Sequence, residues 1–302
     1  MITCCIGIMA YNEELNIGSL LEALRKQRLS RVFIDKIIVV ASGCTDRTEE
    51  IVRRFRLKDL RIKLLTEEKR QGKAAAINLF LKTVKNCPHI CVLESADTLP
   101  LKDTVEKLVA PFCDPKIGMT GAHPIPVNQP DRFMGFVVHL LWELHHRIAL
   151  RVPKMGEMIA FRNVVREIPG DTAVDEVSIE TIVSQKRYKL HYVPEAVIRN
   201  RGPQTISDFL KRRRSIHAGH LWVKKTQQYV PSTMSSLGVI KVLLRDIKFS
   251  SKSLIWTVGA ICLEGVARLL GTYDFHIKKR NPYKWDIAKT TKEIVKLARN
   301  NL

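Results

Sequence analysis

An α/β fold is what this sequence predicts, with a mostly parallel sheet, helices on both faces, and a C-terminal region of amphipathic and membrane-associated helices. Three observations lead there. Apolar runs of strand length alternate with helical stripes across residues 1–125, and each run breaks into a polar cluster before the next helix. From about residue 231 the pattern changes to basic amphipathic and strongly apolar helical stretches. Alternation of this kind implies parallel strands joined by right-handed crossovers. Residues 1–230 are therefore read as one α/β unit, and 231–302 as an interfacial and membrane-associated helical region.

The elements follow in order. Residues 2–9 form an apolar strand, and residues 12–27 carry Leu15, Leu20, Leu21 and Leu24 at helical spacing. Residues 36–41 are the next strand, and Thr45 opens a helix with a good N-cap residue. A third strand over 61–65, a helix over 71–84 and a fourth strand over 89–94 continue the alternation. Pro100 is expected to open a helical pattern, and 117–123 reads as a fifth strand.

Composition narrows the partners. Of 302 residues, 45% are hydrophobic and 26% charged, which describes a globular protein rather than a disordered chain. The formal net charge of +20 implies an anionic partner such as nucleic acid, an acidic membrane surface or a phosphorylated ligand. No nucleic-acid motif with interleaved aromatics accompanies that charge, so nucleic acid is the weaker reading. Seven cysteines, odd in number and without paired CxxC spacing, argue against a zinc site or disulfide framework and favour a reducing cytoplasmic setting. The N-terminus enters a strand with no basic leader, so no secretory signal is expected.

The polar clusters carry the chemistry. Tyr11, Asn12, Glu13 and Glu14 follow the first strand, and Ser42 to Asp46 follow the second. Arg70 to Lys73 precede the third helix, and Asp97 follows the fourth strand. Each cluster alone reads equally as a turn or helix cap, and Asp97 as a carboxylate favoured at a helix start. In a parallel sheet, however, all four converge on one edge, where α/β folds bind ligands.

Four motifs in this order carry a resemblance. Residues 10–14 (AYNEE), 38–46 (IVVASGCTD), 72–78 (GKAAAIN) and 93–98 (LESADT) resemble the family 2 glycosyltransferases of the GT-A fold. The resemblance extends over roughly residues 3–220. It implies a nucleoside diphosphate sugar donor, a Mn²⁺ or Mg²⁺ cofactor and inversion at the transferred carbon. It assigns Tyr11, Asn12, Glu13, Ser42, Asp46, Lys73, Ala96 and Asp97 to the donor, with Asp97 holding the metal. Two departures stand out. Ala41 replaces an acid that usually precedes Ser-Gly, and the usual Asp-x-Asp reads Ser95-Ala96-Asp97. Strand alternation is expected to turn Glu94 to the other face.

Beyond residue 126 the alternation lapses. Residues 131–152 form a long amphipathic helix, suited either to a membrane interface or to core packing. His139, His145 and His146 read as surface or interface residues rather than metal ligands. Residues 155–162 are a loop entering a strand. Asp175 and Glu176 then begin a helix, where the family carries Glu-Asp and its second acid deprotonates the acceptor; by position the base is Glu176, by residue type Asp175. Around residue 211, processive members carry Gln-x-x-Arg-Trp. Here Lys211 and Ser215 replace the Gln and Trp, leaving Arg212 and Arg214 as the expected diphosphate clamp and favouring transfer of single sugars.

In the C-terminal region, 235–249 reads as a basic interfacial helix and the last twenty residues as a soluble amphipathic helix. Residues 253–270 are apolar but short for a span, with Glu264 and Arg268 spaced to neutralise each other. The expectation is a membrane-associated transferase facing the cytoplasm, possessing a lipid-linked acceptor (a dolichyl-type phosphate or growing glycan, as in N-glycan assembly) and open to homodimer formation. GDP-mannose is the first donor implied, with UDP-glucose or UDP-N-acetylglucosamine next. The alternatives are a degenerate scaffold of the same fold, or an anionic-surface or nucleic-acid binding module.

Overall fold

The computed structural model describes residues 1–86, 90–229 and 251–284. Eight strands form one mixed sheet: β1 (Ile2–Ala10), β2 (Val32–Ser42), β3 (Ile62–Glu67), β4 (Ile90–Ser95), β5 (Thr98–Pro100), β6 (Ile117–Pro126), β7 (Ile159–Arg162) and β8 (Lys189–Asn200). Their spatial order is β3–β2–β1–β4–β7–β6–β8–β5. The first four strands are parallel to one another, as the alternating pattern requires. In the far half β6 and β8 are also parallel, so the sheet is mostly parallel as expected, with two short antiparallel strands. Strand β7 runs antiparallel between β4 and β6, and β5 runs antiparallel to β8. Strand β7 follows β6 through a helix and a loop yet runs antiparallel to it, so this connection is not a parallel crossover.

Side-chain alternation builds the core on both faces. Cys4, Ile6, Ile8 and Ala10 of β1 pack on one face with Leu20, Leu21 and Leu24 of α1 (Ile17–Arg25). Cys5 of β1 with Ile38 and Val40 of β2 pack on the other, against Ile77, Phe80 and Leu81 of α3 (Lys73–Thr83). Helix α2 (Thr48–Lys58) buries Val52 in the first cluster, and α6 (Asp175–Gln185) buries Ile179 and Val183 in the second. Pro100 ends β5 rather than opening a helix, and α4 (Thr104–Val109) begins four residues later.

Helix α5 (Phe133–Ala149) packs an apolar stripe against the rest of the protein. Val137, Leu140 and Leu144 are buried with Phe209 of α7 (Ile206–Gln227) and Ala260 of α8 (Ser251–His276). His146 stacks on His123 with ring centroids 4.1 Å apart, and His145 meets Trp142 edge-on, so these imidazoles serve ring packing. Helix α8 is docked along α7 and against Phe133 and Phe136, so it is no detached appendage. The expected helices over 235–249 and the last twenty residues lie outside the described residues, apart from the 283–284 end of that stretch. No disulfide is formed among the six cysteines described.

Gly7 of β1 fits beneath α3 because it has no side chain. A Cβ there would lie 2.7 Å from the ring of Phe80, which is itself fully buried. Gly7→Val is therefore expected to cost about 1–3 kcal/mol of stability by overpacking, read from denaturant unfolding. A companion Phe80→Leu substitution should recover part of that loss.

Candidate active site

The carboxyl ends of β1 to β4 lie side by side, and the loops that leave them form the floor of the site. Asn12 has a left-handed backbone (φ 52°). Its Oδ1 accepts the Thr45 backbone N–H at 2.8 Å, and its Nδ2 donates to the Thr45 hydroxyl at 3.1 Å. The Asp46 carboxylate accepts the backbone N–H groups of Glu14 and Thr48, each at 3.0 Å. Glu13 donates its N–H to Thr48 Oγ1 at 2.8 Å and accepts from Asn16 Nδ2 at 2.9 Å. Asn12, Glu13 and Asp46, expected to face the nucleoside, thus spend these groups on joining two loops whose backbone donors need partners.

Above this floor, the Arg70 guanidinium lies 4.4 Å from the centre of the Tyr11 ring. Ser42 is buried, and its hydroxyl has no hydrogen-bond partner among the described residues. Glu67, its neighbour across the β2–β3 ladder, has one carboxylate oxygen in the same condition. Gly43 makes the close loop contact possible: at φ +64°, a Cβ would fall 2.5 Å from the Arg70 backbone nitrogen.

Lys73 opens α3, and its ammonium lies 2.9 Å from Asp175 and 3.7 Å from Glu176. Burial works against the Lys73 charge, but the two carboxylates outweigh it and hold its pKa above the usual lysine value. Burial and the Glu176 charge raise the Asp175 carboxyl despite the Lys73 bond. The Glu176 side chain is the more accessible of the two, 26% exposed against 9%.

Asp97 lies half-buried in the turn between β4 and β5, after the buried Ala96, and takes no hydrogen bond or ion pair among the described residues. Glu94 is not turned away to an unrelated face. It is buried, receives the Thr98 hydroxyl, and shares the electrostatic environment of Asp97, Glu157 and Lys73. Burial, reinforced by Glu157 and Asp97 and only partly opposed by Thr98, pushes the Glu94 carboxyl up to about 8.

Glu157 joins them. Its backbone is left-handed (φ 52°), and its carboxylate accepts from Arg212 Nη2 at 3.0 Å and Asn200 Nδ2 at 3.4 Å. Sequence reading overlooked it because a lone Glu in an irregular loop carries no periodic or motif signal. The return of the chain after α8 was equally hidden: Asn281 donates to the Asp171 carbonyl at 2.7 Å, and Tyr283 lies beside Gly72.

The arginines on α7 divide. Arg212 faces Glu157, whereas Arg213 makes two 2.8 Å bonds to Glu264 of α8, which also pairs with Arg268. Arg214, expected in the diphosphate clamp, is bound through two nitrogens to Asp274 of α8. Consecutive helical residues point about 100° apart, so Arg212, Arg213 and Arg214 meet different partners. Lys211 is on the outside, near Asp208.

Comparison with known proteins follows this geometry. The family model described as Glycosyl transferase family 2 matches residues 5–162. The fold is similar to that of a mannosyltransferase from Pyrobaculum calidifontis solved with GDP-Man and Mn²⁺, at a TM-score of 0.58 and 22% identity, covering 99% of this chain and 86% of that one. It is also similar to glucosyl-3-phosphoglycerate synthase from Mycobacterium tuberculosis, solved with Mn²⁺, UDP and phosphoglyceric acid. That match has a TM-score of 0.54 and 19% identity, covering 77% of this chain and 80% of that one. A comparison with curated proteins finds no match.

Two substitutions test these contacts. Arg214→Ala should cost about 1–3 kcal/mol of stability by stranding the buried Asp274 carboxylate, read from thermal unfolding, while leaving nucleotide affinity intact. Glu94 has a folded pKa above its unfolded value, so its stabilising contribution is present below about pH 4.5 and is lost as pH rises toward 8. Glu94→Gln is accordingly expected to change little at pH 5 and to stabilise at pH 9 by on the order of 1 kcal/mol.

Proposed function

The chain belongs to glycosyl transferase family 2, and on that premise we propose that it moves a hexose, with inversion, from a nucleoside diphosphate sugar to a lipid-linked acceptor at the cytoplasmic face of a membrane. One observation carries this reading. Asp97, which takes no hydrogen bond or ion pair among the described residues, lies with the Lys73–Asp175–Glu176 group in the electrostatic surroundings of Glu157.

In this reading Glu176 is the general base. It is the more accessible carboxylate and the longer of the two Lys73 contacts, whereas Asp175 is buried against the ammonium and positions it. The acceptor hydroxyl passes its proton to Glu176 as its oxygen bonds to the sugar C1. The C1–oxygen bond to the diphosphate breaks on the opposite face, and its electron pair leaves with the diphosphate. Arg212 supplies positive charge to the departing phosphates.

The residues present fit a divalent cation, Mn²⁺ or Mg²⁺. Asp97 is uncommitted, and Glu94 and Asn200 each leave a buried oxygen without a partner among the described residues. Hard oxygen donors and an excess of carboxylates suit such an ion. Bound at Asp97, it would neutralise the diphosphate leaving group.

The likeness to a mannosyltransferase solved with GDP-Man and Mn²⁺ favours GDP-mannose as the first donor. A lipid-linked acceptor is supported by the outer face of α8, where Leu254, Ile255, Val258, Ile261 and Leu269 are more than half exposed. The net charge of +20 suits anionic headgroups beside it.

Release of nucleoside diphosphate from a panel of GDP- and UDP-sugars, with Mn²⁺ and membrane lipid extract, tests the reading. Lipid-dependent turnover of one donor is expected, abolished by chelation. Asp97→Ala and Glu176→Gln should each lower kcat by about 10²–10⁴-fold. Absence of both turnover and donor binding would leave a scaffold of this fold.

A further inference from the structure

Of the three consecutive arginines on α7, two are committed to carboxylates of α8 and one to a carboxylate of the cleft. The Arg212–Glu157 pair is the unusual one. Glu157 retains a left-handed backbone, a conformation rarely held by a residue other than glycine or asparagine. That backbone turns the carboxylate inward, where its side chain is only 10% exposed. Asn200, which donates to Glu157, stands opposite Thr98 in the β5–β8 ladder, and Thr98 immediately follows Asp97. Glu157 is thus linked to Arg212 on one side and adjoins the Asp97 turn on the other. Two buried oxygens in the same cluster, Glu94 Oε2 and Asn200 Oδ1, have no partner among the described residues.

We propose that Arg212 and Glu157 form an exchangeable ion pair that couples cation binding to nucleotide binding. On entry of the donor, Arg212 leaves Glu157 for the diphosphate, and Glu157 turns to the cation at Asp97, directly or through one of its waters. No bond is made or broken covalently; one ion pair becomes two charge-assisted contacts. The exchange rests on the reading of Arg212 as a diphosphate contact.

The two halves of the exchange have opposite signs, which makes the test specific. GDP and UDP affinities are measured by calorimetry on the full chain, with EDTA and then with Mn²⁺, for the unmodified protein, Glu157→Gln and Arg212→Ala. Glu157→Gln should tighten metal-free GDP binding by about threefold, because Arg212 is released, and reduce the Mn²⁺ enhancement by about tenfold. Arg212→Ala should weaken metal-free GDP binding by about tenfold. Glu157→Asn, which tolerates the left-handed backbone but cannot reach Arg212, should reproduce the Glu157→Gln result and serves if that variant does not fold. Unchanged binding in both Glu157 variants overturns the exchange, as does weaker metal-free binding, which would make Glu157 a mere prop for Arg212. If the unmodified protein binds neither nucleotide, the donor reading fails and the exchange with it. If it binds but Arg212→Ala is unaffected, the diphosphate role of Arg212 is what fails.

Discussion

Excess negative charge at the strand ends is the constraint on which the rest of the site depends. Glu94, Asp97, Glu157, Asp175 and Glu176 act on one another or on shared neighbours, and among the described residues the cations paired with them are Lys73 and Arg212. Carboxylates brought together and shielded from water repel one another and resist ionisation. Burial and neighbouring charge raise the pKa values of Glu94, Glu157 and Asp175 accordingly. Carboxylates perturbed in this way are concentrated at functional sites. A phosphorylated ligand carrying its own cation would relieve the repulsion without adding net negative charge.

The framework around the cleft is correspondingly rigid. Asn12, Asp46 and Thr48 bind two loops into one surface through hydrogen bonds with the backbone. Gly43 lets the loop after β3 close onto that surface. On the opposite side, Arg213 and Arg214 fasten α8 to α7, so the apolar outer face of α8 is held in a fixed relation to the helix that carries Arg212. The final described residues return to the cleft, where Asn281 meets the loop before α6 and Tyr283 approaches Gly72. A helix with an apolar face and the catalytic loops are therefore parts of one packed body.

The basic cluster of α7 shows how local sequence and tertiary contact divide the information. Three adjacent arginines look alike in a sequence, and each has the chemistry to hold a phosphate. Helical geometry turns them in different directions, and the carboxylates that meet them come from residues 51 to 60 positions away. The same holds for α5, whose stripe of apolar side chains suits a lipid surface or a protein core equally. Only the arrival of Phe209 and Ala260 against it makes it a core helix.

What the sequence by itself determined is the parallel half of the sheet, its covering helices and the strand-end position of Tyr11, Ser42, Asp46, Lys73 and Asp97. Period and alternation are local properties, and strands joined by helical crossovers leave little choice of topology. Tertiary structure alone decided the antiparallel insertion of β7, the docking of α8, the inward turn of Glu157 and the separate partners of Arg212, Arg213 and Arg214. Those depend on contacts between segments far apart in the chain, and no local pattern of residue types encodes which distant carboxylate an arginine will meet.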